Sequence, residues 1–339
     1  MKFTPGKLAG MKAVSDSRGV IAAAAMDQRG SLQKSLAKEK GVPDVPVSML
    51  EDFKAIVTEV LTKYASAILL DPEFGLPAAK RRNKNAGLLL AYEKTGYDNT
   101  RAGRIPDLLD GWSVRRLKAA GADCIKILLY YSPFDSKEIN NMKHAFVERI
   151  GDECAGQDIP YFLEFVGYDP SGGDEKGIEY AKRKPESVIR SMEEFTKDQY
   201  SVDVMKAEVP INMKFVEGVK SNIGKGSAYT RKEAIELFRK SAAVSKKPFI
   251  YLSAGVSNDE FAETLELAAE SGVKFNGVLC GRATWANGVP VFAKQGEKAF
   301  INWMNTEGVA NISNVNEKLK AATPWYDAYG VKTEAALAG

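Results

Sequence analysis

Three charged residues lie in segments whose other residues are typical of buried strands. They are Lys206 in SVDVMKAEVP, Lys126 in DCIKILLYY and Glu164 in PYFLEFVGY. A lysine in a buried environment loses its proton more readily than one in water, and the neutral amine forms Schiff bases with carbonyl compounds. A nearby carboxylate can carry protons to and from the reacting groups. This combination predicts aldol chemistry.

The histidine and cysteine content argues against most alternative mechanisms. The chain has one histidine, His144, in KEINNMKHAFVERIGDEC, which has the alternating pattern of a surface helix. Its three cysteines form no CxxC pair, so neither a disulfide framework nor a zinc site of the usual spacing is predicted. Zinc hydrolases, metal-dependent aldolases and Ser-His triads need at least one well-placed imidazole. We therefore expect catalysis without a metal or a cofactor.

The elements that position these residues alternate between short apolar segments and longer amphipathic ones. Eight segments have the length and composition of buried strands, at residues 19–28, 66–72, 87–93, 123–131, 160–168, 201–209, 248–256 and 276–283. Between them lie stretches such as TRKEAIELFRKSAAVS, whose apolar residues recur at helical spacing. Eight such units predict a closed (β/α)8 TIM barrel. An open doubly wound sheet is the alternative, but no GxGxxG follows the first strand.

In such a barrel, the carboxyl ends of the strands surround the active site. Polar residues end or interrupt every predicted strand: Asp27, Gln28, Asp71, Glu93, Lys126, Glu164, Lys206, Ser253 and Arg282. Because side chains alternate between faces, we expect Lys126 and Lys206 to point into this mouth. A purely structural ion pair between Lys126 and Glu164 is the plainer alternative. Two lysines, a glutamate and an aspartate at one mouth favour function, because such a cluster is costly to bury without a ligand.

Two glycine-containing segments, LSAGVSND and LCGRATW, follow the seventh and eighth predicted strands. TIM barrels commonly hold a phosphate at this place through backbone N–H groups. Arg282, in the second segment, adds a fork of donors that suits phosphate. A glycine after a strand is common, so each segment alone is a weak signal. Together they predict a phosphate site.

The composition bounds the partners and the location of the protein. The chain has 339 residues, is 45% hydrophobic and contains no linker-like stretch, which predicts one barrel domain over 1–339 with N- and C-terminal helical extensions. Its 47 basic and 44 acidic side chains are evenly spread, so no nucleic-acid or membrane partner is expected. No signal-peptide pattern is present, and a cytoplasmic location is expected. The predicted helix at Asn311–Ala322 packs either on its own barrel or on a partner, which leaves a homo-oligomer open.

The sequence resembles the bacterial class I tagatose 1,6-bisphosphate aldolases over nearly its whole length. The segments that carry the resemblance include DQRGSL, AILLDPEFGLPA, GLLLAYEKTGYD, EVPINMKFVEG, IYLSAGVS and FNGVLCGRATW. The resemblance implies that Lys206 forms the Schiff base, Glu164 is the acid–base residue and Lys126 assists. Asp27 is implied to orient hydroxyls or the lysine. The residues implied to bind the substrate and its phosphate are Gln28, Ser253, Gly255, Leu279, Gly281 and Arg282.

That resemblance further implies a reaction of the lactose and galactose route. Lys206 would attack C2 of a ketohexose 1,6-bisphosphate, and cleavage would give dihydroxyacetone phosphate and glyceraldehyde 3-phosphate. The positive charge of Lys126 would disfavour protonation of Lys206. Glu208 is a candidate ion-pair partner of either lysine and is left outside the catalytic set.

One segment departs from the family pattern. Glu164 is followed by FVGYDPSGGDE, a glycine-rich loop where more polar and branched residues are expected. The loop follows the fifth strand and is expected to border the aldehyde half of the substrate. A different ketose phosphate, such as fructose 1,6-bisphosphate or a sulfonated sugar phosphate, is therefore an alternative. Two further alternatives are a non-catalytic sugar-phosphate sensor and a related Schiff-base barrel such as a deoxyribose-phosphate aldolase or transaldolase.

Overall fold

Eight strands with apolar residues on both faces form the centre of the fold. The computed structural model describes residues 2–98, 100–224 and 226–339. The strands are β1 (Ile21–Met26), β2 (Ala67–Leu70), β3 (Gly87–Ala91), β4 (Cys124–Tyr131), β5 (Tyr161–Gly167), β6 (Val204–Ala207), β7 (Phe249–Leu252) and β8 (Gly277–Cys280). Each lies within the segment predicted for it. Neighbouring strands pair in parallel and β8 pairs with β1, so the predicted (β/α)8 barrel is confirmed and the open sheet is excluded.

Helices return the chain from one end of the barrel to the other and cover its outside. They are α1 (Pro5–Ala13), α2 (Gly30–Lys40), α3 (Val47–Leu61), α4 (Leu76–Ala79), α5 (Val114–Ala119), α6 (Lys137–Gly156), α7 (Ile178–Phe195), α8 (Arg231–Ala243), α9 (Asn258–Glu270), α10 (Arg282–Trp285), α11 (Val289–Trp303) and α12 (Val309–Lys318). Thr230 and Glu233 form a capping box that fixes the start of α8. Across the residues described, no helix combines the length and apolarity that crossing a bilayer requires.

Side-chain alternation along the strands separates an outer apolar layer from the barrel interior. On β4, Ile125, Ile127 and Leu129 pack outward with the helices. Lys126 therefore lies on the inner face with Cys124, which belongs to the inner apolar cluster. The inward orientation that the sequence predicts for Lys126 is the observed one.

The chain ends close the floor of the barrel, opposite the mouth. Phe3, Trp325 and Leu337 join the inner apolar cluster beneath the strands, and the Phe3 and Trp325 ring centroids are 5.2 Å apart. The Phe3 amide donates to the Leu337 carbonyl at 2.7 Å. The C-terminal helix α12 buries Ile312 and Val315 against its own barrel. The interior is thus filled from below, and the charged side chains face the other end.

Candidate active site

The charged side chains predicted from the strand segments meet at the mouth of the barrel. Strand register places Glu164 of β5 directly beside Lys206 of β6. One Glu164 oxygen lies 2.8 Å from the Lys206 Nζ, and the other lies 2.8 Å from the Lys126 Nζ. The side chains of both lysines and of Glu164 are less than a tenth exposed. A single carboxylate therefore bridges two lysines.

Lys126 is surrounded by three carboxylates. Besides Glu164, its Nζ donates to Asp27 Oδ2 and to Glu93 Oε1, each at 2.9 Å. Three partners match the three N–H donors of an ammonium group. Arg29, from the turn after β1, donates to the Glu93 carbonyl at 2.8 Å and approaches its carboxylate at 3.9 Å. The site is a connected network of opposite charges.

Burial and neighbouring charges act in opposite directions on these groups. Burial alone would raise the pKa of Asp27, but Lys126 and Lys206 outweigh it and hold this pKa well below its usual range. The same balance lowers the pKa of Glu164. Burial opposes charge on Lys126, yet its carboxylate neighbours raise its pKa well above the ordinary value. Glu93 differs, because burial dominates and its pKa is raised. Asp27 and Glu164 are thus carboxylates and Lys126 is an ammonium at neutral pH.

This arrangement changes the expected action of Lys126. The sequence suggested that its charge acts directly on Lys206, whereas the structure places the Glu164 carboxylate in contact with both groups. Glu164 is placed to accept a proton from Lys206, which leaves the neutral amine that a nucleophile requires. The protonated acid can then donate to a departing hydroxyl. The geometry is suited to Schiff-base chemistry.

The predicted phosphate residues lie beside this network, at the ends of β7 and β8. Ser253 directly follows β7, and Gly255 has φ of +75°. A Cβ at Gly255 would lie 2.5 Å from Arg282 Cζ, so a larger residue would displace the guanidinium, and the positive φ itself favours glycine. Within the parts of the chain that the structure describes, the guanidinium of Arg282 has neither an ion pair nor a hydrogen bond, and the residue is exposed. An arginine with free donors beside a glycine turn is suited to an anion.

The other residues predicted to bind substrate lie at different depths below the protein surface. Gln28 lines a cavity of about 260 Å³ together with Arg282, and its buried Oε1 has no hydrogen-bond partner among the described residues. Gly281 forms the junction between β8 and α10. Leu279 lies deeper, in the inner apolar cluster, and is 1% exposed. Its role in binding stays a prediction.

Glu208 and His144 both lie outside the network of charged side chains. Glu208 was a candidate partner for Lys206 or Lys126, but it accepts from the Gly167 amide at 2.7 Å and pairs with Lys184 at 3.4 Å. The reason is that β6 ends at Ala207, so strand alternation no longer applies to Glu208. His144 lies on the outer helix α6, where its Nε2 is 3.0 Å from the Tyr131 hydroxyl.

Two residues of the network were not predicted as site residues. Glu93 was noted as a polar strand end, and that position was the available signal. Arg29 lies in the DQRGSL segment, but nothing in the sequence pattern indicates that it reaches Glu93. Both follow the ends of strands, where the chain no longer has a regular period.

Comparisons with known proteins agree on one family. The profile of the "DeoC/LacD family aldolase" matches residues 21–287. Tagatose 1,6-diphosphate aldolase 2 of Enterococcus faecalis is 53% identical, and the match covers 96% of this chain and 97% of that protein. Tagatose 1,6-diphosphate aldolase of Staphylococcus haemolyticus is 51% identical, with 94% and 97% covered. The protein of that name from Listeria monocytogenes is 48% identical, with 97% and 96% covered.

Solved structures share the fold at much lower identity. A fructose-bisphosphate aldolase from Plasmodium falciparum aligns with a TM-score of 0.67 at 16% identity, covering 93% of this chain and 94% of its own. A Schiff-base-forming fructose-1,6-bisphosphate aldolase aligns with a TM-score of 0.55 at 13% identity, covering 86% and 98%. At these identities the likeness is one of fold.

Proposed function

The chain belongs to the DeoC/LacD family of aldolases, and on this premise we propose that it reversibly cleaves D-tagatose 1,6-bisphosphate to dihydroxyacetone phosphate and D-glyceraldehyde 3-phosphate. The observation that carries the proposal is the contact of Lys206 with Glu164 at 2.8 Å in the barrel mouth. Relatives at 48–53% identity that are named for this activity support the substrate.

The first stage is Schiff-base formation. Glu164 takes a proton from Lys206, and the neutral amine attacks the C2 carbonyl of the open-chain ketose to give a carbinolamine. Protonated Glu164 then donates to the C2 hydroxyl, which leaves as water, and the nitrogen lone pair forms the iminium. Lys126 holds Glu164 and Asp27 in place and balances their charge. No cofactor takes part, because the iminium is the electron sink.

The second stage is cleavage of the C3–C4 bond. Glu164, again a carboxylate, removes the proton of the C4 hydroxyl, the C3–C4 electrons move into the iminium, and glyceraldehyde 3-phosphate leaves. The remaining enamine is protonated at C3, and water hydrolyses the resulting iminium to free dihydroxyacetone phosphate and Lys206. We assign Asp27, beside Lys126, to orienting the substrate hydroxyls or Lys206.

The phosphate of the ketose end is assigned to the turns after β7 and β8. Arg282 supports this assignment because its donors are free and because Gly255 lets the backbone approach the guanidinium closely. Ser253 and Gly281 complete the turns, and Gln28 contributes from the cavity that it lines together with Arg282. Charge-assisted hydrogen bonds of this kind contribute about 1.5–3 kcal/mol each.

We place the reaction in the cytoplasm. All three cysteines are free and buried, which agrees with a reducing compartment. The substrate class is a small sugar phosphate, and the charge distribution offers no surface for nucleic acid.

The proposal is tested by trapping the covalent intermediate. The protein is incubated with dihydroxyacetone phosphate, reduced with borohydride and mapped by peptide mass. The expected adduct is on Lys206, and an adduct on another residue, or none in an active preparation, contradicts the mechanism. Cleavage rates on tagatose, fructose and sulfonated ketose phosphates then test the sugar, and the fastest cleavage is expected on the tagatose bisphosphate.

A further inference from the structure

One fully buried lysine has no part in the mechanism above. Lys54 lies on α3, on the helix face that also buries Leu50 and Val57, one turn before and one turn after it. Its side chain is 0% exposed, and so is that of its partner, Asp71. Burying an ammonium group costs several kcal/mol unless every donor is satisfied. A methionine would fill the same space without that cost, so the choice of lysine calls for a reason.

All three donors of the Lys54 ammonium are used. Its Nζ lies 2.8 Å from the Met26 carbonyl oxygen, 2.7 Å from the Gln28 carbonyl oxygen and 2.5 Å from Asp71 Oδ1. The second oxygen of Asp71 accepts from the Phe74 amide at 2.7 Å. The ion pair of Lys54 and Asp71 therefore carries no net charge, and the ammonium group and both carboxylate oxygens have hydrogen-bond partners. Two of the three contacts of the ammonium group are to backbone on either side of a single residue, Asp27.

The backbone at Asp27 lies beyond the last strand pairing of β1. The last pairing between β1 and β2 is Met26 with Leu70, and the last between β1 and β8 is Ala24 with Cys280. Beyond Met26 the chain is free to turn toward α2. Because a single Nζ reaches both carbonyl oxygens, at 2.8 and 2.7 Å, these oxygens lie closer together than the roughly 6.6 Å that separates such groups on an extended strand. The Lys54 ammonium therefore draws the two carbonyl groups together and fixes the course of the backbone through Asp27.

The carboxylate of Asp27 depends on that course of the backbone. Asp27 Oδ2 accepts from Lys126 Nζ at 2.9 Å, and Gln28 follows directly with its side chain in the cavity shared with Arg282. We propose that Lys54 is a positioning residue that fixes Asp27 and Gln28 for catalysis through their flanking carbonyl groups, with Asp71 as its counterion. The inference rests on the proposed role of Asp27 and extends the site to a helix of the outer layer.

The principal variant is Lys54→Met combined with Asp71→Asn. It strands no buried charge, and the asparagine retains an acceptor for the Phe74 amide. The Met26 and Gln28 carbonyl oxygens lose a donor, so the unfolding midpoint in urea should fall by no more than the loss of these two hydrogen bonds accounts for. A shift of about 1 Å in a catalytic group costs up to about 100-fold, so kcat should fall about 10- to 100-fold. KM should rise by a smaller factor than kcat falls, because Gln28 shifts with the same backbone while Arg282 and its glycine turn are untouched.

The matched control is Lys7→Met with Asp203→Asn, which removes a partly buried pair of 2.8 Å at the other end of the barrel. Its kcat should match that of the unmodified protein. Lys54→Gln with Asp71→Asn is the second variant: it also leaves no buried charge, and its shorter side chain cannot span both carbonyl groups. The same fall in kcat is expected from it if the principal variant does not fold. An unchanged kcat in both Lys54 variants overturns the proposal.

A double-mutant cycle with Asp27→Asn separates positioning from a general loss of structure. If Lys54 acts through Asp27, the principal variant should cost little further activity once Asp27→Asn is present. If the two losses multiply, the Lys54 inference is wrong while the role of Asp27 stands. If Asp27→Asn alone leaves kcat unchanged, the proposed role of Asp27 fails and the inference falls with it.

Discussion

Removal of the Lys126 charge is the perturbation with the largest expected effect on stability. In Lys126→Met, Glu164 keeps Lys206 at 2.8 Å and Glu93 keeps Arg29 at 3.9 Å. Asp27 and Glu93 both lose the lysine that donates to them, and among the described residues Asp27 is left without an ion pair. A buried charge left without its partner costs about 3–5 kcal/mol, and that is the expected loss in the free energy of unfolding at pH 7.

The effect should depend on pH in a defined direction. In the unmodified protein the pKa of Asp27 is lowered, so its contribution is complete above the unfolded value near 3.8 and is lost only as the pH falls through the folded value. The raised pKa of Lys126 makes its contribution complete at neutral pH and lost only as the pH rises through that folded value. In the variant, burial raises the pKa of Asp27 instead, and protonation relieves the penalty. The difference in stability should therefore shrink as the pH falls from 7 toward 4.

The measurement is urea unfolding followed by tryptophan fluorescence at several pH values. Adding Asp27→Asn to Lys126→Met should recover most of the loss, since no uncompensated charge remains. Lys94→Met is the control at an exposed pair with Asp107 and should change stability by less than about 1 kcal/mol. A loss in Lys126→Met below about 1 kcal/mol, or one independent of pH, would refute this account of the network.

The remaining predictions concern catalysis. Glu164→Gln should lower kcat by about 10²- to 10⁴-fold, as loss of a general acid–base does, and should slow borohydride trapping at Lys206; unchanged trapping would contradict its role as the proton acceptor. Arg282→Met should raise KM about 10- to 100-fold through the loss of charge-assisted hydrogen bonds, without loss of stability, whereas Arg190→Met on the outer face of α7 should leave KM unchanged. Gly255→Ala should raise KM and lower stability, because φ is +75° and Arg282 is in the way; normal KM in that variant would contradict the proposed phosphate turn. Chelation with EDTA should leave activity intact, and its loss would point to a metal.

The barrel and the central cluster follow from local patterns in the sequence. Each strand is a short apolar run followed by an amphipathic helix, which is a local signal, and eight repeats predict closure. The two-residue period of a strand directs Lys126 and Lys206 inward, and the register of parallel neighbours brings Glu164 to Lys206.

The parts that were missed lie where the local period ends. Glu208 was expected beside the lysines, but β6 ends one residue earlier and the chain turns it toward Lys184. Lys54 lies within an amphipathic helix, where a lysine is usually a solvent-facing residue. Its burial is decided by how α3 sits over the ends of β1 and β2, which depends on the packing of the whole chain.

The closed floor of the barrel has a consequence for the order of events in a catalytic cycle. Phe3, Trp325 and Leu337 fill the far end, so, among the residues that the structure describes, the approach to Lys206 lies through the mouth. The water that hydrolyses the iminium must then use the same passage as the sugar fragments. In the proposed mechanism, an aldehyde that enters before the enamine is protonated would be joined to it, whereas protonation followed by water would free the ketone fragment. Because the floor is closed, the incoming aldehyde and the hydrolytic water reach the intermediate through the same mouth, and their competition sets the balance between synthesis and hydrolysis.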